Sequence, residues 1–221
     1  MPKPEIARIG LTAILFSFRS AKPDIRLQYF IWTLDARMQT LSDIAETSPG
    51  VNSLLVQVKD LGYIAQAQAA LSACWAQIKQ QDCPSTARRE IDIPVIYGGA
   101  FATDMKALSL SCGLTIEQIA KLHAGQTYDA LCLGAHPGFA YLAGLPPQLF
   151  MPRKKTPSPA VEQGAVVIGG SQTGIIAATL PSGWNIIGRT QVPLFNPQDD
   201  EPALIRPGDR IRFSIMDIIN D

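Results

Sequence analysis

The 221-residue sequence predicts an α+β protein of two parts: a small N-terminal α/β sandwich over residues 1–89 and a β-barrel domain over residues 90–221. Three observations carry this. Apolar residues in the first part recur at helical steps between short strand-like runs. Half of the chain's 17 glycines and 17 prolines crowd into Gly134–Pro193, a density suited to a closed, sharply turning β structure. Between these regions lies the polar "QQDCPSTARRE", which carries Pro84 and reads as a boundary near residue 89.

In the first part, the apolar run Ile9 to Phe18 reads as one buried strand. It is too short to span a bilayer, which needs ~20 residues, and Arg19 stands where a signal peptide would want small residues. Pro23-Asp24 then opens a helix whose Leu27, Ile31, Leu34, Met38, Leu41 and Ala45 form one stripe, with Ser48-Pro49-Gly50 as its breaker. "NSLLVQV", Asn52 to Val58, is the second strand. A second helix follows, with Ile64, Ala67, Leu71, Cys74 and Ile78 on one face. All these apolar positions read as core.

The second part begins with the extended "IDIPVIYGG". Two short helices are expected over Thr103–Cys112 and Thr115–Ala124. The second opens on Thr115 with Gln118 three residues on, a capping box, and stops at Gly125. Strands Tyr128–Leu133, Ala165–Gly169 and Arg210–Ile215 complete the expectation.

Nineteen cations balance 19 anions, which argues against a general binder of nucleic acid or membrane surface. The four cysteines, Cys74, Cys83, Cys112 and Cys132, lack metal or redox spacing and read as reduced thiols, in keeping with a cytoplasmic protein. With two histidines in the whole chain, no metal is expected.

Chemistry concentrates in Gly134–Pro193, where Arg153, Lys154, Lys155 and Arg189 face a single acid, Glu162. Converging, they would favour a carboxylate or phosphate. Lys154 and Lys155 read as solvated. Arg153 stands apart, because Pro152 extends the chain in front of it. "VVIGGSQTGII" lacks the lysine and the helix of a phosphate loop and reads as a β-turn, with Gln172 and Thr173 as candidate polar contacts. His136, in a turn, reads as exposed; His123, in the last turn of its helix, reads as a cation that complements the dipole.

Seven segments in order resemble one family over residues 90–215: "IPVIYGG", "GAHPGFAYL", "PRKKTPSPA", "GGSQTGI", "PSGW", "IGRTQVPLF" and "RPGDRIRF". The chain is similar to the family of B-type subunits of 5-oxoprolinase, also called the KipI family or allophanate hydrolase subunit 1. It departs from the family pattern at Ala135, His136, Ala160, Ile176 and Ser182.

The resemblance implies that the barrel is cyclophilin-like and that the chain is a non-autonomous subunit. It implies a C-type companion subunit, with an A-type protein in the same pathway. Together they open 5-oxoproline to glutamate at the expense of ATP, which is held by the complex and not located on this chain. It further implies a small anionic substrate on a platform of Pro137, Gly138, Phe139 and Tyr141, beside which the departing His136 is a further candidate contact. Pro152, Arg153 and Arg189 would serve as the anion wall, Gln172, Thr173 and Gly174 as polar contacts, and Trp184 as the floor. Relatives of the family also include a urea carboxylase module and inhibitors of sensor histidine kinases.

Overall fold

The computed structural model describes residues 3–18, 22–79 and 88–220. Cys83 and Pro84 lie outside them. The chain divides into two compact units, Met1–Ala87 and Arg88–Asp221.

The first unit is an antiparallel sheet of four strands, β1 (Glu5–Ile9), β2 (Ala13–Ser17), β3 (Ile44–Gly50) and β4 (Ser53–Val58), in the order β1-β2-β4-β3, with two helices against one face. The run expected as one strand is a hairpin: β1 (Glu5–Ile9) turns through Gly10 into β2 (Ala13–Ser17). Ile9 and Leu11 are exposed, so only the later part of that run, with Ile14, Phe16 and Phe18, enters the core. Helix α1 (Ile25–Gln39) is capped by Asp24, whose carboxylate accepts from the Arg26 and Leu27 N–H groups.

Its stripe is buried as expected from Leu27 to Met38, but Ala45 belongs to β3 (Ile44–Gly50). Ser48-Pro49-Gly50 therefore forms strand, not a breaker. Strand β3 lies at the sheet edge, where a proline need not donate. Strand β4 (Ser53–Val58) presents Leu54, Val56 and Val58 to the same core, and α2 (Ile64–Gln77) adds Ile64, Ala67 and Leu71. Trp75 packs against Phe16, Phe18 and Phe30 at ring separations of 5.2, 5.2 and 6.0 Å.

The second unit is a closed seven-stranded barrel in the order β10-β7-β6-β13-β5-β12-β9. Its strands are β5 (Glu90–Gly98), β6 (Thr127–Gly134), β7 (His136–Ala143), β9 (Ala165–Gly169), β10 (Gln172–Ile175), β12 (Asn185–Arg189) and β13 (Arg210–Ile219). Only β13 and β5 run parallel; the other pairs are antiparallel. A separate ribbon pairs β8 (Ser158–Val161) with β11 (Leu180–Ser182).

Helices α3 (Met105–Cys112) and α4 (Ile116–Ala124) follow β5, and the capping box at Thr115 and Gln118 is present. The whole of β9 is buried, for a reason its unbroken apolar sequence records. Val166 and Ile168 join the main core, while Ala165 and Val167 join a second cluster with Phe139, Ile176, Trp184 and Ile186.

His123 corrects one expectation. It is fully buried and neutral, its imidazole driven down to about 3 by desolvation, so it is not a cation at a helix end. Thr173 Oγ1 donates to the Val167 carbonyl at 2.9 Å and so accepts from His123 Nε2–H at 3.0 Å. Nδ1 then accepts from the Tyr97 hydroxyl at 2.7 Å. The network joins α4 to β5 and β10.

Candidate functional site

Three aromatic rings meet on the second cluster. Phe139 and Trp184 are edge to face at 5.4 Å, Phe139 and Tyr141 at 5.0 Å, and Tyr141 lies 6.0 Å from Trp184. Two glycines make room for them. A Cβ on Gly169 would come within 2.6 Å of the Trp184 ring, and one on Gly174 within 2.9 Å of the Phe139 ring. Gly169 and Gly174 of "GGSQTGI" thus seat two aromatic side chains, while Gly170 between them takes a positive φ of 65, and no phosphate-binding role is needed to explain them.

Above this floor, Arg153 lies over the Trp184 ring, 4.9 Å from its centroid. The strand-like segment that carries it is pinned on both sides. Met151 and Gly170 exchange backbone hydrogen bonds, Asn185 Nδ2 donates to the Pro152 carbonyl at 2.9 Å, and Lys154 N–H donates to Gly183 O at 2.7 Å. The expectation that Lys154 is solvated is wrong. Its ammonium donates to Asp104 at 2.7 Å and to Ser158 Oγ at 2.8 Å, and Asp104 Oδ2 also accepts from the Ile186 N–H at 2.8 Å. Lys155 is exposed, as expected.

His136 opens β7 behind Ala135, a non-glycine residue at φ 62. Its ring packs on Phe139 at 5.1 Å and is half-buried, not an exposed turn side chain. Nδ1 meets the Pro137 carbonyl at 3.3 Å, while Nε2 is buried without a hydrogen-bond partner. Burial lowers its pKa, partly offset by the bond to Pro137.

These groups line one cavity of about 310 Å³, in which His136, Phe139, Tyr141, Arg153 and Trp184 come together. Lys154, Ile176, Ser182 and Gly183 complete much of its wall. The other expected members stand elsewhere. Pro137 is exposed, and Gly138 packs on Phe195 and Ala177. Pro152 acts through its carbonyl on Asn185.

Thr173 and Gly174 are buried beneath the site, so neither can present polar groups to a ligand. Gln172 begins β10, half-buried, its Nε2 unpartnered, and is not part of the cavity wall. Arg189 is parted from Arg153. It stacks over Phe101 at 4.3 Å beside a larger cavity of about 580 Å³, whose lining includes Thr103, Glu162 and Gln191. Sequence reasoning missed Asp104 and Asn185, which brace the Arg153 segment. The aspartate that opens α3 was visible, but not its partner.

Among the described residues no cluster of three His, Cys, Asp or Glu could hold a metal, and no helix is long and apolar enough to cross a membrane.

The model of the carboxyltransferase domain, subdomain C and D, matches residues 4–205. The B-type subunit of 5-oxoprolinase from Escherichia coli O157:H7 is 38% identical over 208 residues, covering 93% of this chain and 93% of that protein. The solved structure of TTHA0988 superposes with a TM-score of 0.76 at 27% identity, covering 92% of this chain but only 39% of that longer one. The K. lactis urea amidolyase superposes at TM-score 0.82 with 19% identity, covering 98% of this chain and 15% of that one, a likeness of fold alone. The chain therefore belongs to the carboxyltransferase subdomain C and D family and, by its identity to the E. coli protein over nearly the whole length, to the family of B-type 5-oxoprolinase subunits.

Proposed function

We propose that the chain is a non-autonomous subunit of an ATP-dependent 5-oxoprolinase that opens the lactam ring of 5-oxo-L-proline to L-glutamate. One observation carries the reading: in a chain so similar to the B-type subunit of 5-oxoprolinase, a single small cavity joins the Arg153 guanidinium to aromatic walls. The larger cavity beside Arg189 is weaker support despite its volume, because it lacks the three-ring cluster and also contains an acid, Glu162.

In this reading Arg153 holds the substrate carboxylate, and Phe139, Tyr141 and Trp184 hold the apolar ring. Ring opening passes through phosphorylation of the lactam oxygen and hydrolysis of the activated ring. A fixed cation beside the substrate favours the charge that develops on these oxygens. We assign ATP to the assembled complex rather than to this chain, and no metal to this chain. A C-type companion subunit completes the site, and an A-type protein joins the pathway.

Mixing experiments test this. Glutamate formation should be negligible with the chain alone and should appear when its companion subunits are added. Robust turnover by the isolated polypeptide refutes it.

A second reading, docking on a sensor histidine kinase, is favoured by one feature. Three large apolar residues of β13, Ile215, Met216 and Ile219, are exposed at 39%, 64% and 39%. Pull-downs against the companion subunits and against sensor kinases separate the two.

A further inference from the structure

We propose that His136 is a specificity-determining residue: its Nε2 accepts a hydrogen bond from the ring N–H of a lactam, and so selects cyclic amides over their oxygen analogues. This role rests on reading the aromatic cavity as the substrate site, and it adds which atom of the substrate that site reads.

Local geometry fixes the tautomer. A carbonyl oxygen can only accept, so the Nδ1 that faces the Pro137 carbonyl at 3.3 Å carries the ring proton. The imidazole is neutral at ordinary pH, because its burial disfavours the charged form. Nε2 therefore holds a bare lone pair. That atom is shielded from solvent and has no hydrogen-bond partner, although the ring to which it belongs lines the cavity. Buried polar atoms are almost always paired, so an orphan on a ring that lines a cavity marks a place where a ligand group can supply the missing half. Nε2 is closed off in the resting geometry, so reading a ligand requires the imidazole to turn toward the cavity when the ligand binds, giving up its long 3.3 Å bond to Pro137.

The donors and acceptors then define the ligand. Arg153 can only donate, so it calls for an anionic acceptor. His136 Nε2 can only accept, so it calls for an N–H. Phe139 and Trp184 between them call for an apolar body. A small ring with a carboxylate at one position and an N–H in the ring satisfies all three. The γ-lactone of the same acid has the same shape, but places an oxygen lone pair against the lone pair of Nε2.

The test compares these two ligands. Binding of 5-oxoproline and of 5-oxotetrahydrofuran-2-carboxylate is measured by titration calorimetry with the full chain, alone and with its companion subunits. The same titrations are run on His136→Ala and His136→Gln. The native chain should prefer the lactam by about 10–100-fold, the usual cost of facing a buried acceptor with no donor. His136→Ala should abolish the preference, and His136→Gln, whose amide oxygen can accept, should restore part of it.

A preference that persists unchanged in His136→Ala overturns the role of His136 while leaving the cavity as the site. Failure of 5-oxoproline to bind in either setting overturns the reading of the cavity and this proposal together. A native chain that binds lactam and lactone equally overturns the proposal alone.

Discussion

The guanidinium of Arg153 lies 4.9 Å from the centre of the Trp184 ring, and each belongs to a segment held by its own backbone bonds. The cation is exposed, but it is not loose. The indole beneath it is 6% exposed and rests on the bare backbone of Gly169. This pair sets a positive charge at the mouth of an aromatic cavity.

Arg153→Ala should lower the affinity for a small carboxylate ligand by about 10–100-fold, the worth of a charge-assisted hydrogen bond. Arg153→Lys should recover only part, since an ammonium has no planar face for the indole. Arg189→Ala should leave this affinity unchanged, because Arg189 lines another cavity. Titration calorimetry on the three variants checks the contrast.

Gly169→Ala should disturb the site without touching any polar group. The added methyl meets the Trp184 ring at 2.6–3.0 Å, and the backbone of a strand buried on both faces cannot yield. We expect a loss of about 1–3 kcal/mol, as for other overpacked positions, and a change in Trp184 fluorescence. Thermal denaturation and emission spectra measure both.

Asp104 and Lys154 should prove unequal. Asp104→Ala removes the acceptor of both the Lys154 ammonium and the Ile186 N–H, at a place where the two side chains are 17% and 20% exposed. A loss of about 1–3 kcal/mol is expected. Lys154→Met should cost less, because Asp104 keeps the Ile186 N–H. A double-mutant cycle by denaturant unfolding should show a coupling well above that of a surface pair.

Buried His123 sets an acid limit on the stability of the barrel unit. Its folded pKa, about 3, lies below the ordinary value of 6.5. Between these values the unfolded chain takes up a proton that the folded chain refuses, so stability falls as pH drops from 6.5 toward 3. The full slope is about 1.4 kcal/mol per pH unit. Denaturant unfolding across that range should show it, and His123→Gln should flatten the slope while lowering stability at neutral pH.

Local chemistry carried the readings that held. The α1 stripe, the Thr115 capping box and the strand at Asn52–Val58 depend on neighbours within one element, and a single sequence contains those neighbours. Proline at 49 misled because its cost depends on whether a strand is at an edge, a fact of sheet order. His123 misled because helix position says nothing of Tyr97 and Thr173, which bury it.

At the site, Phe139, Tyr141, Arg153 and Trp184 line one cavity, a grouping that the family resemblance implied and that no single motif carried. Arg189 and Thr173 were grouped with them by the same resemblance. Strand pleating put Thr173 inside the barrel and Arg189 beside Phe101 instead.

Steady-state turnover of the reconstituted complex tests the account most directly. Phosphate release dependent on both 5-oxoproline and ATP is measured for native chain, Arg153→Ala and Arg189→Ala, each with its companion subunits. Turnover is expected with the native chain and with Arg189→Ala, and a loss of about tenfold or more with Arg153→Ala, equivalent to about 1.4 kcal/mol. Equal rates for all three would contradict it.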